Sequence, residues 1–202
     1  MIDAALIQQC ADPTLKPAIV ERFIAEAGST DPLAVTVRSG DRVVLIPKPA
    51  TPDEAMALVR EYVGRAVVRV GVTQYPAGLG VSDVSELNPN LVGACANIRM
   101  GTTLFGKVYR IVTKWYGNAV DEAFDDAVYA WRTGYFEGKP VFSEPDPGNL
   151  EVATPSVNPP LSEEDDVAAS TPTAMAPAQA GPANPNQAGI RVDLSGIGGR
   201  PP

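Results

Sequence analysis

Residues 23–35 read FIAEAGSTDPLAV, and they change character part-way. Leu15, Ile19 and Phe23 recur at helical spacing, so a helix is expected from about Pro13 to Ala27. Gly28 and Asp31-Pro32 stop it, because glycine and proline punctuate a helical pattern. From Leu33 the pattern turns extended. LAVTVRSGDRVVLI (33–46) sets two β-branched runs around Ser-Gly-Asp, which reads as a small hairpin. A helix that breaks into a hairpin points to an α+β fold.

Working outward, TPDEAMALVREYV (51–63) carries its own start signal. Thr51 suits the N-cap, Pro52 the first helical position, and Glu54 the reciprocal place in a capping box. Ala55, Leu58, Val59 and Tyr62 then form an apolar stripe. VVRVGVTQYPAGLGVS (67–82) is extended and punctuated by glycine, hence strand or loop. Residues 90–101 and 103–116 are expected as a helix pair, the second with Leu104, Val108, Ile111, Val112 and Trp115 on one face. A last helix is expected from about Val120 to Trp131. The fold class is therefore mainly α with a small β hairpin.

Composition divides the chain. Every Trp, Tyr and Phe lies at or before Phe142, and more than half of the 20 prolines lie beyond Glu144. A stretch rich in Pro, Ala, Ser, Asn and Gly, without aromatics, cannot bury enough surface to offset its ordering entropy. Residues 1–143 are thus expected to fold and 144–202 to form a disordered Pro/Ala-rich tail, with SEEDD (162–166) as a solvated acidic run.

Several function classes fall away. A net charge of −8, an isoelectric point near 4.6 and the lack of a basic stripe argue against nucleic acid as a partner. No apolar run approaches the roughly 20 residues of a membrane span. MIDAALIQQC (1–10) has neither the charged start nor the long apolar stretch of a secretory signal, so export would need an upstream start or a specialised route. With no histidine, Ser-His-Asp and Cys-His hydrolysis and His-Glu-x-x-His zinc sites are excluded. Cys10 and Cys95 are too few for a Cys-only zinc site; they are either buried free thiols or one disulfide. No metal and no cofactor is expected. Acid–base work would fall to Asp, Glu, Tyr, Lys or Cys.

One ordered set of segments carries more. An acid stands before Gly and then Asp-Pro-Leu-Ala-Val; a hairpin and PATPDEAMALVREYV follow. GVTQYPAGLGVS (71–82), NPNLVGACANIRMG (88–101) and AVYAWRTGYFEGKP (127–140) complete it. Over roughly residues 10–140 the chain resembles the lysozyme-like lytic transglycosylases that accompany type IV secretion and conjugation systems, above all the shorter TraH type. The resemblance implies a lysozyme-like fold in which Glu26 is the acid, matched through Glu26, Gly28 and Pro32, with Ala27 where the family has Ser and one extra residue before the proline. Glu21 is the fallback acid. Gln74 falls on the glutamine of the family's cleft segment. Trp131, Thr133 and Gly134 fall on its Tyr-x-Thr-Gly segment, with Trp in the Tyr position.

A lytic transglycosylase needs one carboxylic acid to protonate the leaving oxygen, since the muramic sugar's own hydroxyl closes on the anomeric carbon. That removes the usual need for a second carboxylate. Burial against apolar neighbours is the usual way to hold such an acid protonated, and Ile24, Ala25 and Ala27 flank Glu26. Gln74 would donate to a sugar N-acetyl group. Tyr75, Tyr129, Trp131 and Tyr135 are candidates for stacking on sugar rings, although at its helical spacing Trp131 reads first as a core residue. The implied partners are peptidoglycan strands and secretion or conjugation components, and the implied location is the periplasm or cell envelope. The alternative is a catalytically inactive relative that binds glycan or secretion components.

Overall fold

A computed structural model describes residues 3–148. The tail expectation, from residue 149 onward, falls outside the described residues. The change of character at residue 28 is where helix gives way to sheet, as expected, but the surroundings are richer than a helix and a hairpin.

An unforeseen helix, α1 (Ala4–Cys10), comes first, with Asp3 accepting from the Ala5 N–H. The next, α2 (Pro17–Ala27), begins later than the periodicity suggested. Asp12 explains the delay. Its Oδ1 accepts from both Thr14 N (2.8 Å) and Thr14 Oγ1 (2.6 Å), holding a turn that competes with helix. Leu15 is buried from this turn rather than from a helix. Pro17 opens α2 where a missing N–H is harmless.

The hairpin forms as β1 (Val35–Ser39) and β2 (Arg42–Val44). It is one side of a four-stranded antiparallel sheet, completed by β3 (Val67–Val70) and β4 (Tyr75–Pro76) in the order β2-β1-β3-β4. Register places Val35 opposite Val70 and Val37 opposite Val68. A one-residue slip would turn these valines to the other face, so burial fixes the pairing. They pack with Ala55, Met56 and Val59 of α3 (Pro52–Tyr62). Thr51 caps α3 as expected, accepting from Glu54 N at 3.2 Å. The return bond from Glu54 reaches Ala50 N rather than the cap itself (2.7 Å).

The expected helix pair is a single helix, α4 (Ala94–Tyr116), preceded by a 3-10 turn at Pro89–Val92. Gly101 does not break it. A Cβ there would lie 2.1 Å from Thr73 Oγ1, so the residue is small to admit a neighbour. The roughly 1 kcal/mol that glycine costs inside a helix is outweighed by what α4 buries. Its partner α5 (Asp121–Thr133) ends at Gly134, φ 82°, in the left-handed cap that glycine favours. A short hairpin, β5 (Tyr135–Phe136) and β6 (Lys139–Pro140), follows.

The main core lies between α2, α4 and α5. Phe23 stacks on Phe105 with ring centroids 3.9 Å apart, and Trp131 meets Phe23 edge-on at 5.2 Å. Phe124 and Tyr109 close the cluster. Burying each such ring contributes about 2–3 kcal/mol. A smaller cluster of Cys10, Val72 and Ile98 surrounds the Cys10–Cys95 disulfide, whose Cα atoms are 5.1 Å apart. The cysteines are thus bridged, tying α1 to the first turn of α4. Among the described residues no helix is long and apolar enough to cross a membrane.

Candidate functional site

Three segments distant in sequence meet at the end of α2. Ser29 N donates to Val72 O at 2.7 Å, which brings the chain after Glu26 onto the loop 71–74. Gly28 permits the approach: a Cβ there would sit 2.5 Å from Val72 O and 2.6 Å from Ile24 O. The end of α5 closes the corner. Trp131 Nε1 donates to Thr73 O at 3.1 Å, and the Arg132 guanidinium donates to the backbone oxygen of Glu26.

Asn97 holds the loop from behind. Fully buried on α4, it donates from Nδ2 to Val70 O (3.0 Å) and Leu91 O (2.8 Å). Its Oδ1 accepts from Thr73 N and Thr73 Oγ1, both at 2.9 Å. All four bonding positions of the amide are thereby filled. Gly71 (φ 75°) makes room, since a Cβ there would lie 2.4 Å from Asn97 Nδ2.

At the corner's surface, the Glu26 side chain is 37 % exposed and pairs with Arg22, Nε to Oε1 at 2.8 Å. Arg22 also holds Asp121 (2.9 Å) and Asp125 (2.7 Å), and its guanidinium lies 4.1 Å from the Phe124 ring centroid. Glu21 sits one turn earlier, where its Oε1 accepts from Gln8 Nε2 at 3.2 Å. It lines a cleft of about 260 Å³ with Ile24, Gly28, Ser29 and Thr30.

Gln74 has the left-handed φ of 51°. Its amide already accepts from Thr36 Oγ1 (2.8 Å) and donates to Gly71 O (3.0 Å), leaving one N–H for a ligand. Tyr75 is half-buried with its ring edge toward Trp131 at 6.5 Å, and burial pushes its phenol up. Tyr129 is 65 % exposed on α5. Arg69 of β3 reaches across to the end of α5 and donates to Gln74 O (3.1 Å), Arg132 O (3.1 Å) and Trp131 O. It thus satisfies terminal helix carbonyls. Burial, and then the nearby Arg38, lowers the Arg69 guanidinium to about 10. Among the described residues no group of three or more carboxylates or thiols is placed to hold a metal ion.

Residues 1–199 match the TraH_2 family. The chain is also 54 % identical over 204 residues to "Uncharacterized protein y4dP" of Sinorhizobium fredii, covering 98 % of this chain and 100 % of that protein. This chain belongs to the TraH_2 family. It is a conjugal-transfer family, so the protein's part is in conjugal transfer and its partners are sought in a conjugation system. No solved structure matches the chain.

Within this TraH_2 fold two expectations need correction. Trp131 has no exposed surface: its ring is a core residue and offers no face for a sugar. The apolar shell expected around Glu26 is replaced by Arg22, because the helical repeat turns residue 26 onto the side occupied by residue 22 rather than toward its sequence neighbours. Glu26, residues 72–74 and residues 131–134 do come together. Tyr129 joins none of the hydrogen bonds that link these segments. Arg22, Arg69, Arg132 and Asn97 were missed. The Arg22–Glu26 spacing of four was visible; each of the other three joins the corner through a contact 24 to 106 residues away in sequence.

Proposed function

We propose that this TraH_2 protein is a peptidoglycan lytic transglycosylase that opens the wall for the conjugation apparatus, with Glu26 as its acid. The observation that supports this most is the convergence of Glu26–Ser29, loop 71–74 and residues 131–134, the three segments that carry the resemblance. The resemblance gives the acid to Glu26, beside this corner, with Glu21 in the adjoining cleft as the fallback, and the remaining Gln74 N–H lies on loop 71–74. Arg22 is a weak restraint. An exposed pair at this spacing is worth about 0.3–0.5 kcal/mol, and Arg22 keeps Asp121 and Asp125 when Glu26 leaves. Swinging Glu26 toward a glycosidic oxygen is therefore cheap against the binding energy of a glycan chain. The Cys10–Cys95 disulfide supports an oxidising compartment such as the periplasm.

A second reading, binding of glycan or secretion components without cleavage, is favoured by the same Arg22 pair, which occupies the Glu26 carboxylate. The experiment is incubation of purified full-length protein with sacculi, scoring anhydro-muropeptide release and cosedimentation for wild type and Glu26→Gln. Release that collapses in the variant supports the enzyme. Cosedimentation without release supports the binder. If the protein neither releases nor sediments, the glycan reading is wrong.

A further inference from the structure

A cleft of about 610 Å³, with no part of its wall formed by Glu26, lies between the sheet and the hairpin after α5. Arg38 of β1, Arg65 before β3 and Arg69 on β3 line it, and no Asp or Glu does. In a chain of net charge −8 this is an unexpected concentration of cations. Among the described residues none of the three arginines forms an ion pair. The remaining wall includes Val68, Leu79, Tyr135 and Phe142. We propose that this cleft binds a small organic oxyanion, its charge held by Arg38, Arg65 and Arg69 and its carbon skeleton laid against Tyr135 and Phe142.

Arg69 is fixed before any ligand arrives. Three carbonyls hold it, and its guanidinium lies 5.6 Å from the Trp131 ring centroid and 5.8 Å from that of Phe142. Those bonds use three of its five N–H groups, leaving two for a ligand. They satisfy its hydrogen bonds without neutralising its charge, and Arg38 adds a like charge beside it. A bound oxyanion would relieve that repulsion in a partly desolvated setting, where charge-assisted bonds are strongest. Among the described residues the Arg38 and Arg65 side chains form no hydrogen bond or ion pair, so capping α5 accounts for Arg69 but for neither of them. The volume suits a small-molecule ligand or the charged end of a larger one. Carboxylate and phosphate share the required chemistry.

The proposal does not rest on the glycan reading: Thr133 and Gly134 line this cleft too, but its charge is held by three arginines and Glu26 is not among its residues. Calorimetric titration of full-length protein at low salt, with citrate in one arm and pyrophosphate in the other, tests it. Saturable binding of citrate alone identifies a carboxylate ligand, and of pyrophosphate alone a phosphate ligand; binding of both supports a general oxyanion site. In each case Arg38→Gln combined with Arg65→Gln should weaken binding about tenfold or more while leaving the unliganded melting temperature unchanged, the loss expected for charge-assisted bonds. The inference is overturned if neither probe binds up to about 10 mM, an affinity too weak for a built site. It is equally overturned if the double variant binds as wild type does.

Discussion

Two polar clusters border the end of α2, and they are built on opposite terms. Around Asn97 every group is buried and partnered: four bonds of 2.8–3.0 Å join β3, loop 71–74, the turn before α4 and α4 itself. Around Arg22, three carboxylates that are 37–61 % exposed share one guanidinium. Removing a partner from the first cluster strands groups where water cannot reach them. Removing one from the second returns a group to solvent. The bond distances are alike, so the surroundings set the difference in worth.

Asn97→Ala should therefore have the largest effect. It removes the side-chain partner of Thr73 N, Val70 O and Leu91 O, at about 1–3 kcal/mol per stranded group, so a loss of about 4 kcal/mol is expected. A shift in the urea midpoint, at unchanged slope, measures it. A loss below about 1 kcal/mol would mean that the cluster is hydrated and no different in kind from the one around Arg22.

The disulfide braces the same buried side. It closes a loop with a sequence separation of 85, and Cys10→Ser with Cys95→Ser should lower stability by about 2–4 kcal/mol. Reduction of wild-type protein should reproduce the shift. Gly28→Ala comes next, at about 1–3 kcal/mol, because the added carbon meets two backbone oxygens and no side chain can turn away. Hydrogen exchange of the Ser29 amide would show whether the bond to Val72 O opens.

The same contrast governs what could be read in advance. The α2-to-β1 break, the Thr51 cap and the last helix were legible because each is written in residues within a few places of one another. Asp12 was legible too, as an acid two residues before Thr14, but helical periodicity masked it. Gly101 misled because glycine inside a helix looks like a breaker until Thr73 is seen against it. At the site, Glu26, Gln74 and Trp131 drew attention through the order of segments. Burial then separated them: Trp131 went to the core, and Gln74 to its own loop. Asn97 could not have been found, since its role depends on three segments that sequence spacing does not bring together.

Acid should find the exposed partners before the buried ones. Asp146 is held below the usual carboxylate range first by its bond with Arg110, against a smaller opposing effect of burial. For Asp12, burial pushes upward, but bonds from Thr14 and Thr103 and the charge of Arg110 outweigh it and the net shift is downward. A carboxyl lowered on folding adds stability above its unfolded value, and that stability is lost as pH falls through the folded value. Melting temperature should thus decline below about pH 4, the ordinary aspartate range. Asp146→Asn should remove part of that decline and lower stability at neutral pH by under about 1 kcal/mol after solvent screening. A neutral-pH melting temperature that does not move would show the Arg110 pair to contribute nothing.

The smallest effect on stability belongs to Glu26→Gln. The carboxylate is partly exposed, its one ion-pair partner has two others, and an i,i+4 surface pair contributes about 0.3–0.5 kcal/mol. The residue also stands at the C-terminal end of α2, where a negative charge opposes the helix dipole, so neutralising it recovers a few tenths of a kcal/mol. The two contributions nearly cancel. The melting temperature of Glu26→Gln should lie within about 2 °C of wild type, on the scale at which 1 kcal/mol shifts a domain of this size by a few degrees. Arg22→Gln should cost more, because it releases three carboxylates that then repel one another. If Glu26→Gln were instead as damaging as Asn97→Ala, Glu26 would be a buried structural partner, and an acid so fixed could not swing to a glycosidic oxygen. A near-neutral result keeps it free for chemistry, and the sacculus assay on the same variant then reports on function without interference from folding.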